Sequence, residues 1–348
     1  FLEEKYPAYG NLVPRDIATR EIFQACLDGY GVGGGNMVYL DLTHIPAPTL
    51  DRKLGAILEI YEKFVGEDPR YTPMKIFPGV HYTMGGIWVN IDQMTNVPGI
   101  FATGECDYSI HGANRLGANS LVSCIYAGIV AGPAAVAYAT GNARGETLNG
   151  AHESEVRRQV EINERLKNRR GGENAYLLHE EMGEWMTDNV TVIRYNGKLE
   201  QTDAKLQELI ERYDRIDINE SVYWATQALP HARHLFNMLQ LARVITLGAL
   251  RRNESRGAHY KPEFPERNDA EFLKTTIATY TPEGPEFGYE DVDISLIPPR
   301  PRKYDVIKEA AKVAGDQPPP DRFHVEAHLE RERKDKQHPF EDSSKNVT

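Results

Sequence analysis

The chain has 348 residues, of which 41% are apolar and 26% charged, the balance of a globular protein with a sizeable core. Its net charge of -11 argues against nucleic acid as a partner, because phosphate binding needs a basic surface, but leaves room for a local basic pocket. The three cysteines, Cys26, Cys106 and Cys124, form no C-x-x-C pair, so neither a metal site nor a disulfide framework is expected.

The opening residues Phe1, Leu2, Glu3 and Glu4 are neither an initiator methionine nor a signal peptide, and read as the continuation of a longer chain. Arg15 to Leu27 follows as a helix, with Ile17, Ile22, Phe23 and Leu27 near helical spacing. Gly29, Gly31 and Gly34 then spell G-x-G-x-x-G. A dinucleotide fingerprint follows a strand and opens a helix. Here a helix comes before and the strand Met37 to Leu42 after, so the run is read as a helix-to-strand loop. A second helix spans Leu54 to Phe64.

Residues 79–145 are Gly-rich. Gly86 to Ile91 alternates like a strand, and Gly99 to Thr103 is a short apolar run. From Leu116 to Asn142 there is no charge, long enough to cross a bilayer, but Asn119, Ser120, Ser123, Gly128, Gly132 and Pro133 favour a buried helix. Glu155–Leu166 and Ala204–Tyr213 carry the spacing of an antiparallel helical bundle within 150–255. Beyond Pro262 the periodicity fades, prolines gather at 298–301 and 318–320, and Glu326 to Thr348 reads as a charged tail.

Thr95, Ala102, Gly104 and Glu105 fit T-x6-A-x-G-[D/E], in which an apolar strand ends at a glycine and a carboxylate able to accept sugar-alcohol hydrogen bonds. Taken alone, an ordinary strand-end glutamate fits equally well. The uncharged helix beginning at Asn119 or Ser120 has a polar cap, and its free N–H groups can hold partial negative charge.

Three further segments stand out: Pro14-Arg15-Asp16, His81-Tyr82-Thr83-Met84-Gly85-Gly86, and His111-Gly112-Ala113-Asn114-Arg115-Leu116-Gly117-Ala118-Asn119-Ser120-Leu121. Together with Arg251 to His259 they resemble the succinate dehydrogenase/fumarate reductase flavoprotein subunits, closest to the Bacillus-like form. The resemblance implies substrate binding by His81 and Arg115 at opposite ends of a C4 dicarboxylate, and proton transfer by Arg15. It implies FAD contacts from Glu105, Asn119, Ser120 and Leu121. Guanidinium suits this task because it grips carboxylate bidentately. It is an awkward base, since arginine stays protonated to above about pH 12.

The implied fold is α/β plus α: a partial FAD-binding domain of the two-dinucleotide-binding type, part of an α+β capping domain, a helical bundle and a C-terminal α+β region. The implied boundaries are 1–78 (capping), 79–149 (FAD-binding), 150–262 (helical) and 263–348 (C-terminal domain and tail). The chain is then expected to be a C-terminal fragment lacking the N-terminal FAD-binding half, with the histidine that bonds FAD covalently outside it and little activity in isolation. The implied partners are an iron–sulfur subunit and a cytochrome b membrane anchor, with the chain peripheral on the cytoplasmic face of a bacterial inner membrane. Fumarate reduction, L-aspartate oxidation and a non-catalytic assembly module are the competing readings. After the arginine, L-aspartate oxidase resembles Met-Ala-Ser-Asn-Ser, where this chain has Leu116-Gly117-Ala118-Asn119-Ser120. Arg252 and Arg256 are expected in structural ion pairs, and Cys106 as a buried small side chain.

Overall fold

The computed structural model describes residues 2–7, 10, 13–108, 110–117, 119–142, 150–218 and 226–299. The tail from Glu326 and the prolines at 318–320 lie outside the described residues. The chain divides into two units, residues 1–14 with 294–348 and residues 15–293. Of the first, the described part includes a short helix, α1 (Leu2–Lys5). Everything below belongs to the second.

Helix α2 (Arg15–Leu27) starts directly after Pro14 and buries Ile17, Phe23 and Cys26. An Asp16–Arg20 ion pair one turn apart supports it. The Gly-rich run joins α2 to strand β1 (Val38–Leu40), with Gly29, Gly33 and Gly34 at positive φ, so it is a helix-to-strand connection. Helix α3 (Ala47–Val65) begins after Pro46, earlier than periodicity indicates, and ends on left-handed Gly66, whose N–H bonds to the Glu62 carbonyl. Strand β2 (Met74–Ile76) returns antiparallel to β1, pairing Val38 with Ile76.

The expected α/β layer is corrected by the structure. Among the described residues, 87–107 makes single bridges rather than named strands: Ile87 with Asp107, Val89 with Thr95, and Met94 with Phe101. The cause is a tight turn. The Asn90 side chain accepts from Asp92 N and Met94 N, and Gln93 takes a positive φ of 63°, so the alternating run folds back on itself.

Helix α4 (Asn119–Gly141) is the uncharged segment. It buries Ser123, Ala127 and Ala131, a stripe of small residues four apart. Leu121, Val122, Ile125, Tyr126, Ile129 and Val136 are exposed, so the helix is not the buried one expected from composition. By length and hydropathy it would also suffice to cross a membrane.

Four helices share the principal core: α5 (Ala151–Asn168), α6 (Ala175–Met186), α7 (Asn196–Tyr213) and α8 (Ala228–Leu250). Leu178, Leu206, Leu209, Leu235 and Leu239 are fully buried there, each contributing roughly 1.5–3 kcal/mol. Asn174 caps α6 by accepting from Tyr176 N and Leu177 N. Arg212 links Glu173 on the α5–α6 connection to Glu181 on α6, tying α7 to its neighbours. A π turn at Thr187–Thr191 leads from α6 toward α7.

After α8 the chain forms a polar knot. Glu254 is fully buried and accepts from Arg252, Arg256 and the Asn268 N–H. Burial works to raise its pKa, but Arg256, the Asn268 N–H and Arg252 hold it below the usual carboxylate range. Lys261, also fully buried, spends its ammonium hydrogens on Asn196 Oδ1, the Leu250 carbonyl and Asn253 Oδ1. Helix α9 (Asp269–Phe272) then opens into a hairpin of β3 (Lys274–Thr279) and β4 (Glu286–Asp291). One oxygen of Glu290 on β4 accepts from both Trp88 Nε1 and the Tyr108 hydroxyl, clasping the hairpin to the 87–108 segment.

Candidate functional site

The site grows around the carboxylate of Glu105, which lies in the turn that Gly104 enters at a φ of +85°. Its Oε1 accepts from the Thr83 N–H at 2.8 Å, which fixes the His81-Tyr82-Thr83 segment beside the end of the 99–103 run. Gly86 admits this approach: a Cβ there would stand 2.2 Å from the Cys106 carbonyl oxygen. Cys106 itself is exposed, contrary to the buried side chain expected.

Tyr82 leads to the second cation. The Arg115 guanidinium stands 5.3 Å from the Tyr82 ring centroid, over its face. Arg115 Nη1 donates to the Leu116 carbonyl, and its Nε is buried with no hydrogen-bond partner. A planar guanidinium anchored through Nη1 with an unspent Nε–H suits a carboxylate. Tyr82 also meets His111 edge to face at 5.3 Å, and His111 Nε2 lies 3.0 Å from Ser123 Oγ on α4. A cavity of about 440 Å³ opens here, lined by His111, Asn114, Asn119, Val122, Ser123 and Tyr126 among others.

The structure therefore brings Glu105, Arg115 and the first turn of α4 into one neighbourhood through Thr83, Tyr82, His111 and Ser123, with His81 joined to it as the chain neighbour of Tyr82. His81 is exposed next to Tyr82. Asn119 and Ser120 are half-buried at the head of α4, and Leu121 is exposed. Arg15 is exposed at the start of α2, and among the described residues no hydrogen bond, ion pair or ring contact joins it to His81 or Arg115. Its helix is tied to them indirectly. Arg20 donates to the Gly257 carbonyl, and Ala258 N donates to the Ala113 carbonyl, two residues before Arg115. Gly257 makes this possible: its φ is +59°, and a Cβ would stand 2.6 Å from Ala113 O.

Arg20, Tyr82, Gly257 and Ser123 are thus parts of the site that sequence reasoning missed. The available signals were Tyr82 directly after His81, and Ser123 one turn after Ser120. The contact between Gly257 and Ala113 has no local signal. Arg252 and Arg256 do form ion pairs, with Glu254 and Asp269 inside the knot.

The residues present fit a flavin on the chemistry of the donor set. Glu105 can accept from hydroxyls, the first turn of α4 carries no acidic side chain, and the cavity lies against that turn. No group of three or more His, Cys, Asp or Glu side chains suited to a metal ion occurs among the described residues.

Comparison with known proteins gives the same direction. A model described as "FAD binding domain" matches residues 2–121, and one described as "Fumarate reductase flavoprotein C-term" matches residues 179–304. The chain is 60% identical over 315 residues to the succinate dehydrogenase flavoprotein subunit of Bacillus subtilis, covering 89% of this chain and 54% of that one. It is 34% identical over 323 residues to the fumarate reductase flavoprotein subunit of Escherichia coli, covering 90% and 53%. A solved E. coli quinol fumarate reductase chain superposes with a TM-score of 0.77 at 34% identity, covering 85% of this chain and 51% of that one. The chain spans about half the length of the curated relatives it matches.

Two expectations are overturned by the first of these matches. The FAD-binding match begins at residue 2, so FAD-binding sequence is already present ahead of residue 79, where the expected fragment had none. Nor is the FAD-binding part confined to 79–149, as the partial domain required. The Gly29–Gly34 run is indeed a helix-to-strand loop, but a phosphate-binding turn is one local element of an FAD-binding domain, so its absence there does not remove FAD-binding sequence from residues 2–78.

Proposed function

We propose that this chain is a flavoprotein of the succinate dehydrogenase/fumarate reductase family, serving the FAD-dependent interconversion of succinate and fumarate. The observation that carries this reading is the Arg115 guanidinium, over the Tyr82 ring with a buried, unspent Nε, joined through Tyr82 and His111 to Ser123 on α4. The matches to FAD-binding and fumarate reductase models support it.

In this reading Arg115 binds one carboxylate of the dicarboxylate dianion and His81 the other. Charge-assisted bonds at both ends fix the central carbons, so that orientation supplies much of the rate. Arg15, carried on α2, moves the proton on the neighbouring carbon. Glu105, Asn119, Ser120 and Leu121 hold the flavin, Glu105 through hydroxyl groups and the head of α4 through backbone N–H groups. The flavin, when bound, supplies hydride chemistry. The histidine that would bond it covalently is assigned to none of the residues here. Within the FAD-binding match, residues 1–78 carry the part that caps the substrate. Residues 150–262 are the helical domain and 263–348 the C-terminal domain.

An iron–sulfur subunit takes the electrons and a cytochrome b anchor holds the assembly, with this chain peripheral on the cytoplasmic face of the inner membrane. Succinate oxidation is the direction proposed, with fumarate reduction as its reverse. The Leu116-Gly117 continuation after Arg115 disfavours L-aspartate oxidation.

Calorimetric titration of the flavin-loaded protein with malonate tests this assignment. Arg115→Ala should weaken malonate binding by roughly 10–150-fold, the loss of a hydrogen-bonded charge partner worth about 1.5–3 kcal/mol. Unchanged affinity would remove the basis for the assignment.

A further inference from the structure

We infer that Tyr82, His111 and Ser123 form a positioning relay that sets the plane of the Arg115 guanidinium for a dicarboxylate end group. The inference rests on the reading of Arg115 as the carboxylate clamp and adds what holds the clamp still.

A guanidinium grips a carboxylate bidentately only when its plane and its fork are both set. Arg115 sits in a loop rich in Gly and Asn, and an arginine side chain has much rotamer freedom to lose on binding. No carboxylate pairs with it among the described residues. Its side-chain hydrogen bond runs from Nη1 to the Leu116 carbonyl at 3.1 Å. What defines the plane is therefore the Tyr82 face, 5.3 Å from the guanidinium carbon.

The Tyr82 ring is itself held. His111 abuts it edge to face, with an interplanar angle of 86°. The Tyr82 hydroxyl lies 3.5 Å from Ser123 Oγ, and His111 Nε2 lies 3.0 Å from the same oxygen. Proton bookkeeping settles the direction. Ser123 has one hydroxyl hydrogen, and it is donated to the Ser120 carbonyl at 2.7 Å. Ser123 Oγ is then an acceptor only, so His111 carries a hydrogen on Nε2 and donates it. The chain of contacts runs from the first turn of α4 through buried Ser123 to His111, to Tyr82 and to Arg115. The helix that begins the flavin half-site and the clamp for the dicarboxylate thus share one frame. Changing His111 or Tyr82 should misalign Arg115 without removing its charge.

The experiment compares Tyr82→Leu, Tyr82→Phe, His111→Gln and Arg115→Ala in the flavin-loaded protein. Malonate affinity is read by calorimetry, succinate kcat and KM by turnover, and thermal midpoint without ligand. Tyr82→Leu should weaken malonate and raise KM about tenfold, and lower kcat as well, because a misaligned clamp costs both binding and the orientation of the central carbons. His111→Gln should weaken malonate about threefold or more by the same route. Tyr82→Phe, which keeps the ring, should restore most of the affinity lost in Tyr82→Leu. If Tyr82→Leu folds poorly, His111→Gln still decides. Arg115→Ala weak in malonate binding while Tyr82→Leu and His111→Gln bind normally would overturn the relay alone. Normal binding by Arg115→Ala would overturn the clamp and the relay together. Loss of affinity that merely follows a lowered thermal midpoint, unrestored by Tyr82→Phe, would reduce the three residues to packing and also overturn the relay.

Discussion

Gly257→Ala strikes the link between α2 and the Arg115 loop at its tightest point. Two costs add. The residue holds a φ of +59°, and the left-handed region costs a non-glycine residue roughly 1–2 kcal/mol, less about 0.4–1 kcal/mol for the stiffer unfolded chain. The new Cβ would also lie 2.6 Å from Ala113 O and 2.9 Å from Asn114 Cβ. Relief means moving the two backbones apart, which stretches the 2.8 Å bond from Ala258 N to Ala113 O and forfeits about 0.5–1.5 kcal/mol. The sum is roughly 0.5–3 kcal/mol of stability, with displacement of Asn114 and Arg115 as a by-product. Gly33→Ala is the control. It shares a positive φ, 63°, but nothing lies within 4 Å of its would-be Cβ, so it carries the strain without the clash. Urea unfolding of both variants measures the difference, and malonate titration reads the displacement. Equal destabilisation of the two, with malonate affinity intact in Gly257→Ala, would refute the argument that close approach at Gly257 shapes the site.

The polar knot predicts two pH effects of the same sign in separate windows. Burial first, then Arg194, pushes His259 down to about 3 from an ordinary 6.5, so the folded state keeps a neutral ring. Its contribution to stability is present above pH 6.5 and lost as pH falls toward 3. His259→Asn should flatten that acid limb in a series of urea melts, and an unchanged slope would count against it. Burial likewise lowers Lys261 to about 8 from 10.5. Below pH 8 the full cost of a buried ammonium is present, and it is relieved as pH rises toward 10.5. The stability of the wild type relative to Lys261→Met should therefore climb between pH 8 and 10, by up to about 1.4 kcal/mol per unit of depression. A falling difference would show that the lysine is stabilised, not penalised, by its surroundings.

Helices whose apolar spacing is their only instruction were legible in the sequence. Ile17, Ile22, Phe23 and Leu27 mark α2 over its full length, Arg15–Leu27, and the loop role of Gly29 to Gly34 follows from the order of its neighbours. Alternation failed at Gly86 to Ile91 because a positive φ at Gln93, a non-glycine residue, leaves no compositional trace. Composition also could not say what covers α4, since the same uncharged residues serve a buried or an exposed face. The site divides similarly. Glu105 and Arg115 could be picked out by motif, but Tyr82 as a platform and Gly257 as a contact point depend on segments far apart in the chain. Arg15 remains placed by its motif and its helix, not by a direct contact.

The double acceptor at Glu290 has a consequence for how the molecule is made. Trp88 waits 202 residues, and Tyr108 182 residues, for the oxygen that receives them. At translation rates of roughly 5–20 residues per second, that interval is about 10–40 s. Through this time the emerging 87–108 stretch must stay soluble with two aromatic rings unclasped, until β4, the last strand among the described residues, arrives to clasp them.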